Sequence, residues 1–199
     1  MTRPSDAELD RLRIIAEEVC EVMAGEGFTV DGAANQHKAF KRTRATVSTL
    51  EQNLVISAAE RGARIAGMHP DATGTGLDIK SWDDGIARRY RPKKAEVTAA
   101  GEDRMVCGAG SSLLKSGDED MMWIEESWVL GYRLNDDHTV VDFFAAEIIG
   151  HEENAAGPVH LKLGTHYSLM PTPAPLGFVS SDEELDLGDA DEEGQREVG

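Results

Sequence analysis

The sequence predicts an α+β fold: a helical N-terminal module, a β-rich antiparallel C-terminal half and a disordered acidic tail. Up to about residue 67, apolar side chains recur every three to four positions, which is the period of an amphipathic helix. After residue 96, short apolar runs alternate with Gly, Asp and Asn, a pattern typical of strands joined by turns. With 199 residues, 40% of them hydrophobic, the chain can bury a core of ordinary size.

The first helix is marked by an N-terminal signal. Ser5 and Glu8 have the spacing of a capping box, and apolar residues then follow at helical spacing. We expect a helix over residues 6–24, ended by Gly25 and Gly27, because glycine accepts the left-handed geometry that closes a helix.

Two further helices are expected in the N-terminal module. A short one is predicted over residues 33–40. A longer one, over residues 44–61, places apolar side chains on one face and polar ones elsewhere, and Gly62 is its predicted end.

The next segment predicts a loop followed by a small hairpin. Proline and glycines make residues 68–76 loop-forming. Residues 77–82 and 86–90 have strand-like character, and Asp83-Asp84-Gly85 between them is a turn signal. Together they predict a small β wing next to the helices.

The C-terminal half predicts a series of short strands. One apolar run, residues 140–149, suits either a central strand or a short helix. The strand-like runs are 105–107, 121–124, 128–134, 140–149 and 159–163.

These patterns divide the chain into four parts. Residues 1–67 form the helical module, and residues 68–95 contain the loop and the hairpin with a basic run. Residues 96–170 form the β-rich module. Residues 171–199 form a Pro-rich linker and an acidic tail that has too few apolar side chains to fold.

Charge is distributed unevenly along the chain. The formal net charge is -17, yet residues 1–27 carry -4, residues 28–95 carry +5 and residues 96–199 carry -18. Because a phosphate backbone repels an acidic surface, only the middle segment is expected to face a nucleic acid.

The best motif lies inside this positive segment. Ala39-Phe40-Lys41-Arg42-Thr43-Arg44-Ala45-Thr46-Val47-Ser48-Thr49-Leu50 resembles the turn and recognition helix of helix-turn-helix DNA-binding domains, including phage-encoded ones, and the resemblance extends over residues 32–62. It implies that Thr43 caps the second helix, that this helix reads DNA, and that the basic run at 88–94 adds phosphate contacts. The expected DNA-binding residues are Lys38, Lys41, Arg42, Thr43, Arg44, Thr46, Thr49, Gln52, Asn53, Arg88, Arg89, Arg91, Lys93 and Lys94.

Each of these features has a second interpretation. The helices can form an ordinary packed pair with a solvated charged face, and the basic run can pair with the protein's own carboxylates. The alternative function is that of an acidic interaction protein, a DNA mimic, inhibitor or assembly factor, which binds a basic protein partner. In the DNA-binding interpretation, the β-rich module serves homo-oligomerisation or partner contact.

No pattern predicts catalysis, a cofactor or a metal site. The string Cys107-Gly108-Ala109-Gly110-Ser111-Ser112 lacks the residues that complete a dinucleotide motif or a P-loop. Glu147, His151, His160 and His166 are ligand-type residues, but their spacing matches no metal-binding helix. We therefore expect a non-enzymatic protein.

The sequence also predicts the compartment. Cys20 and Cys107 belong to no disulfide or metal pattern, which fits a reducing environment. The first residues lack the apolar core of a signal peptide, and no apolar run approaches the roughly 20 residues that cross a bilayer. We expect a cytoplasmic protein without a membrane partner.

Overall fold

A computed structural model of the protein describes residues 3–40, 43–73, 76–83, 85–98, 103–108, 111–114, 125–152 and 158–171. In this part of the chain, helices come first and strands follow, which confirms the α+β class. The elements are α1 (Asp6–Glu26), α2 (Thr29–Asn35), α3 (Arg44–Ile65), β1 (His69–Thr73), β2 (Gly76–Asp83), β3 (Ile86–Lys94), β4 (Glu96–Val97), β5 (Asp103–Arg104), β6 (Val106–Cys107), a 3-10 turn (Ser112–Leu114), β7 (Glu125–Leu134), β8 (Val140–Glu152) and β9 (Val159–Ser168).

Helix α1 confirms the first predicted helix. The side chain of Ser5 accepts a hydrogen bond from the backbone N–H of Glu8 at 3.1 Å, as an N-cap does. The helix ends at Glu26 with the predicted Gly27 as its C-cap residue, but it continues through Gly25, and Gly27 has a right-handed φ of -53° rather than the expected left-handed geometry. Gly27 is needed for close packing instead, since a Cβ there would overlap the Met23 carbonyl oxygen.

The position predicted for the second helix is wrong. Helix α2 spans Thr29–Asn35 rather than residues 33–40, because Val30 and Ala34, one turn apart, are its buried residues. Eight residues, 36–43, then separate α2 from α3. The turn of a helix-turn-helix has about three or four residues.

Helix α3 begins at Arg44 as predicted but does not end at Gly62. It continues to Ile65, and Gly67, with a left-handed φ of +70°, ends it. Gly62 lies where α3 meets α1, and a Cβ there would be 2.9 Å from the Cα of Ile15. The small size of Gly62 therefore serves helix packing rather than helix ending.

The described strands of the main sheet follow the order β1-β2-β3-β7-β8-β9-β6, and β4 and β5 form a separate pair. The predicted loop at 68–76 is wrong, since residues 69–73 form β1 and pair with β2. The predicted hairpin is confirmed as β2 and β3, with Gly85 in the turn at φ +77°. It is not a separate wing, because β3 also pairs with β7 along residues 87–94.

The C-terminal half is antiparallel, as predicted, in the pairs β7–β8, β8–β9 and β6–β9. The pair that joins it to the N-terminal part, β3–β7, is parallel. The run at 140–149 belongs to strand β8. It is continuously apolar because both of its sides are covered: Phe143 and Ala145 face one core, and Phe144 and Ala146 face the other.

Two hydrophobic clusters lie on opposite faces of the sheet. In the larger one, α1 and α3 pack on side chains of the strands, with Leu12, Val55 and Tyr132 fully buried or nearly so. The smaller one includes Met105 and Val129. The larger cluster takes residues from both sides of the predicted boundary after residue 67, so the helices and the sheet share a core.

Some predicted features fall outside the described ranges. These are the strand at 121–124 and, apart from Pro171, the linker and acidic tail at 171–199. Among the helices that the structure describes, none has both the length and the apolar character that crossing a bilayer requires.

Candidate functional site

Strand β3 carries the predicted basic run, and its alternation divides the side chains into two sets. Arg88 and Lys94 face the helices, where they bond carboxylates of α1 and α3. Arg89, Arg91 and Lys93 alternate with them, and Lys93, next to the end of the strand, lines a cleft that Lys94 also lines. The run therefore does not form one continuous basic surface.

Arg88 is the centre of a buried ion-pair cluster. Its side chain is 2% exposed, and it donates to Glu8 at 2.5 Å and to Glu126 at 2.8 Å. Glu126 also accepts a hydrogen bond from Nε1 of Trp128 at 3.3 Å. Burial, together with the charge of Glu8, raises the pKa of the neighbouring Tyr90 hydroxyl. A guanidinium enclosed in this way ties α1 to β3 and β7 and is not accessible to a phosphate backbone.

Arg89 and Arg91 are paired with groups on the neighbouring strands. Arg91 donates from Nε to Asp78 at 2.6 Å. Arg89 donates to the hydroxyl of Ser127 at 2.9 Å, and its Nε lies 3.6 Å from Glu125. For these arginines the structure therefore agrees with the interpretation in which the basic run pairs with the protein's own carboxylates.

Lys94 belongs to a second polar cluster, built around Glu51. Lys94 Nζ and His138 Nδ1 lie 2.6 Å and 2.8 Å from this carboxylate, and Asp31 lies 3.4 Å from the other ring nitrogen of His138. Burial lowers the pKa of His138, but the hydrogen bonds and charges of Glu51 and Asp31 outweigh burial, so that the pKa is raised. The cluster connects α2, α3, β3 and the turn between β7 and β8.

A cleft of about 270 Å³ lies between the N-terminal half of α3 and the strands, and we name it the α3 cleft. Its cationic side chains outnumber its single carboxylate. A more open cleft of about 480 Å³ also reaches Arg104, but there Asp103 and Glu152 balance the charges of Arg104 and Lys162. The α3 cleft is lined by Ser48, Gln52, Pro92, Lys93, Lys94, Glu96, Arg104, Val106 and Tyr132.

Lys93 and Arg104 are the cations of the α3 cleft whose described partners are not carboxylates. Lys93 Nζ donates to the Val106 carbonyl oxygen at 3.2 Å, and Arg104 contacts the ring nitrogens of His160 at 3.0 Å and 2.9 Å. No carboxylate in the described ranges forms an ion pair with either side chain. Burial, with the nearby charge of Arg91, lowers the pKa of Lys93.

The exposed N-terminal half of α3 leads into the cleft. Arg44, Ser48 and Gln52 are four residues apart, so they lie on one side of the helix, which we name the α3 face. Ser48 and Gln52 also line the cleft. On the adjoining side, Asn53 is exposed, whereas the hydroxyl of Thr49 donates to the backbone of its own helix at 2.8 Å.

The remaining expected residues are dispersed. Thr46 is half-buried, Lys38 is exposed after α2, and Thr43 precedes α3 without a side-chain capping hydrogen bond. Lys41 and Arg42 lie outside the described ranges. Of the predicted set, the structure thus gathers Gln52, Lys93 and Lys94 in the cleft and places Arg44 beside it.

Sequence reasoning missed Arg104. This arginine follows Glu102 and Asp103 in an acidic stretch, so its charge is not apparent from the local pattern. It reaches the cleft because the two-residue strand β5 pairs with β4, with Glu96 opposite Arg104. A strand pair of only two residues on each side leaves no recognisable pattern in the local sequence.

The ligand-type residues of the C-terminal half do not converge. His166 stacks on Phe144 with ring centroids 4.5 Å apart and lies 3.3 Å from Asp103, while His160 contacts Arg104. As far as the structure describes the chain, it contains no group of three His, Cys, Asp or Glu side chains that could hold a metal ion.

The α3 cleft and the α3 face together present ammonium, guanidinium, hydroxyl and amide groups. Such groups bind phosphate oxygens, and amides also bond the edges of bases. No family model, curated protein or solved structure matches the chain.

Proposed function

We propose that the protein is a non-enzymatic DNA-binding protein that holds the phosphate backbone in the α3 cleft and along the α3 face. The observation that supports this most directly is the convergence of Lys93, Lys94 and Arg104 in a cleft beside Gln52. Arg44 lies one turn beyond Ser48 and extends the same surface along α3. Cationic groups on one continuous surface attract a phosphate backbone and release its counterions.

The proposed contact differs from that of a helix-turn-helix. Helix α3 buries one side, including Val55 and Ala59, against the core, and eight residues separate it from α2. We therefore place α3 alongside the backbone rather than deep in a groove. Binding of this kind depends strongly on salt and little on sequence.

The test is fluorescence anisotropy of a labelled duplex titrated with the full chain at about 50 mM salt. We expect Arg44→Gln and Lys93→Gln each to weaken binding about fivefold, which corresponds to about 1 kcal/mol. Arg64→Gln is the matched control, because Arg64 is a 66% exposed side chain near the other end of the same helix. Equal affinity of both variants and the control would contradict the proposal.

A second candidate function is the binding of a basic protein partner. The internal pairing of Arg88, Arg89 and Arg91 favours it, because it removes three cations from the surface of a chain whose net charge is -17. An acidic surface of this kind attracts basic proteins and repels nucleic acid.

The second candidate has its own test on helix α1, where Glu17 and Glu21 are exposed one turn apart. With poly-lysine as the probe, the double variant Glu17→Gln with Glu21→Gln should bind more weakly than the unmodified chain. The Arg44→Gln variant should bind poly-lysine as tightly as the unmodified chain or more tightly, because it has lost a positive charge. The opposite ranking would argue against this candidate.

A further inference from the structure

Lys93 differs from three other lysines in its surroundings. Lys80, Lys94 and Lys162 each form an ion pair with a carboxylate, at 2.6 to 2.9 Å. The ammonium group of Lys93 donates instead to a backbone carbonyl oxygen, that of Val106, at 3.2 Å. The protonated form of Lys93 therefore lacks the carboxylate ion pair that stabilises the other three ammonium groups.

We propose that Lys93 is a site of covalent acylation by small acyl phosphates. The side chain lines the α3 cleft, whose volume of about 270 Å³ has room for a ligand of the size of acetyl phosphate. Arg104, which forms no ion pair with a carboxylate of the described ranges, lines the same cleft and attracts the phosphate group. The reactive carbonyl carbon is thus delivered next to the amine.

The amine must be neutral to react, because a protonated amine has no electron pair to donate. Burial and the charge of Arg91 lower the pKa of Lys93, which increases the fraction of free amine near neutral pH. In contrast, the hydrogen bond that Lys80 donates to Asp71 raises the pKa of Lys80. We therefore expect Lys93 to react faster than Lys80 with an acyl phosphate, and Lys80 serves as the comparison.

The reaction needs no further reactant. The lone pair of Lys93 Nζ attacks the acyl carbon, an amide N–C bond forms, and the C–O bond to the phosphate breaks. Phosphate leaves with that electron pair, and the proton lost from the amine passes to it. The products are acyl-lysine and hydrogen phosphate.

Acylation removes one positive charge from the cleft. If the proposed function is correct, it also weakens DNA binding, and that consequence alone rests on the proposed function. The acylation itself is measured without nucleic acid, so that failure of one proposal is distinguishable from failure of the other.

The test is incubation of the full chain with acetyl phosphate near neutral pH, followed by site-resolved mass spectrometry. The pKa of Lys93 is lowered and that of Lys80 is raised, so a larger fraction of Lys93 is present as free amine. We therefore expect the initial rate at Lys93 to exceed that at Lys80 severalfold. Equal rates at Lys93, Lys80 and Lys162 would overturn the proposal.

A second comparison tests the part played by the cleft. Arg104→Gln should slow acylation of Lys93 by acetyl phosphate about threefold or more, because it removes a phosphate-attracting charge. It should leave acylation by the uncharged reagent N-hydroxysuccinimidyl acetate unchanged. Arg64→Gln should change neither rate. Equal slowing with both reagents would show that Arg104 does not recruit the phosphate, and would overturn the proposed delivery.

Discussion

At the residue scale, the feature with the largest expected effect is Arg88. Its side chain is 2% exposed, and its two nearest carboxylates, Glu8 and Glu126, are 0% and 8% exposed. A buried ion pair gains little over an apolar pair of the same shape. Removal of one partner is expensive, however, because it leaves a charge buried without compensation.

Arg88→Met should therefore destabilise the fold by about 3–5 kcal/mol, measured as the free energy of unfolding in urea. Arg64→Gln should stay within about 0.5 kcal/mol of the unmodified protein, because that side chain is exposed. A loss of less than about 1 kcal/mol for Arg88→Met would mean that the cluster is not closed to water.

His138 gives stability a pH dependence. Its pKa is raised in the fold by Glu51 and Asp31, which outweigh the effect of burial, from an ordinary value of 6.5. A raised pKa means that the fold binds the proton more tightly than the unfolded chain does. This stabilisation is complete below the unfolded pKa and disappears as the pH rises through the folded one.

The prediction for His138 is a free energy of unfolding that decreases as the pH rises above the ordinary histidine value of about 6.5. In His138→Asn this decrease should be smaller. Asn is the suitable replacement because residue 138 has a φ of +60°, a backbone geometry that Asn accepts. If the free energy of unfolding changed with pH identically in the unmodified protein and in His138→Asn, the pH dependence would come from groups other than His138.

At the scale of elements, α1 and α3 pack closely because residue 62, at their contact, is a glycine. A Cβ at Gly62 would lie 2.9 Å from Ile15 Cα and 3.1 Å from Glu18 Cβ, whereas a Cβ at Gly25 in α1 would meet nothing within 4 Å. Both glycines lie in the last turn of a helix, so their helix propensities are comparable and the main difference is in their surroundings.

This pair makes a controlled prediction. Gly25→Ala should stabilise the protein by about 0.5–1 kcal/mol, because Ala is the better helix former. Gly62→Ala should destabilise it by about 1–3 kcal/mol, because the added methyl group forces the helices apart. Thermal unfolding of both variants measures the difference, and a gain of stability in Gly62→Ala would refute the close packing.

Local patterns predicted those elements whose formation depends on neighbouring residues. The cap at Ser5 and the turn at Gly85 are examples. Strand β1 was not predicted because Pro70 is typical of a loop, yet a proline is tolerated there since β1 is an edge strand of the sheet. The parallel pair β3–β7 joins distant segments, and nothing in either segment alone encodes it.

At the scale of the whole molecule, charge counted by segment predicted the site only in part. The +5 segment does supply Lys93 and Lys94 to the α3 cleft. Its arginines at 88, 89 and 91 pair internally, and the cleft is completed by Arg104 from the acidic half. Charge along a sequence does not determine charge on a surface, because the fold decides which groups meet.

The acidic segment 180–199 carries a large share of the net negative charge. Residues 180–199 contain nine acidic side chains and one arginine, so their removal changes the net charge from -17 to -9. Because like charge repels a phosphate backbone, we expect deletion of residues 180–199 to tighten duplex binding at low salt. The gain should disappear at about 0.3 M salt, where screening is strong. Anisotropy at the two salt concentrations measures it, and weaker binding after deletion would contradict this expectation.

The most direct test of the proposed DNA contact is the salt dependence of duplex affinity. Each phosphate contact contributes about 0.9 to the slope of log affinity against log salt concentration. The triple variant Arg44→Gln, Lys93→Gln and Arg104→Gln should therefore lower the magnitude of this slope by about 3 relative to the unmodified chain. An unchanged slope, or duplex binding by the unmodified chain that does not depend on salt, would contradict the proposal that the α3 cleft and the α3 face hold the backbone.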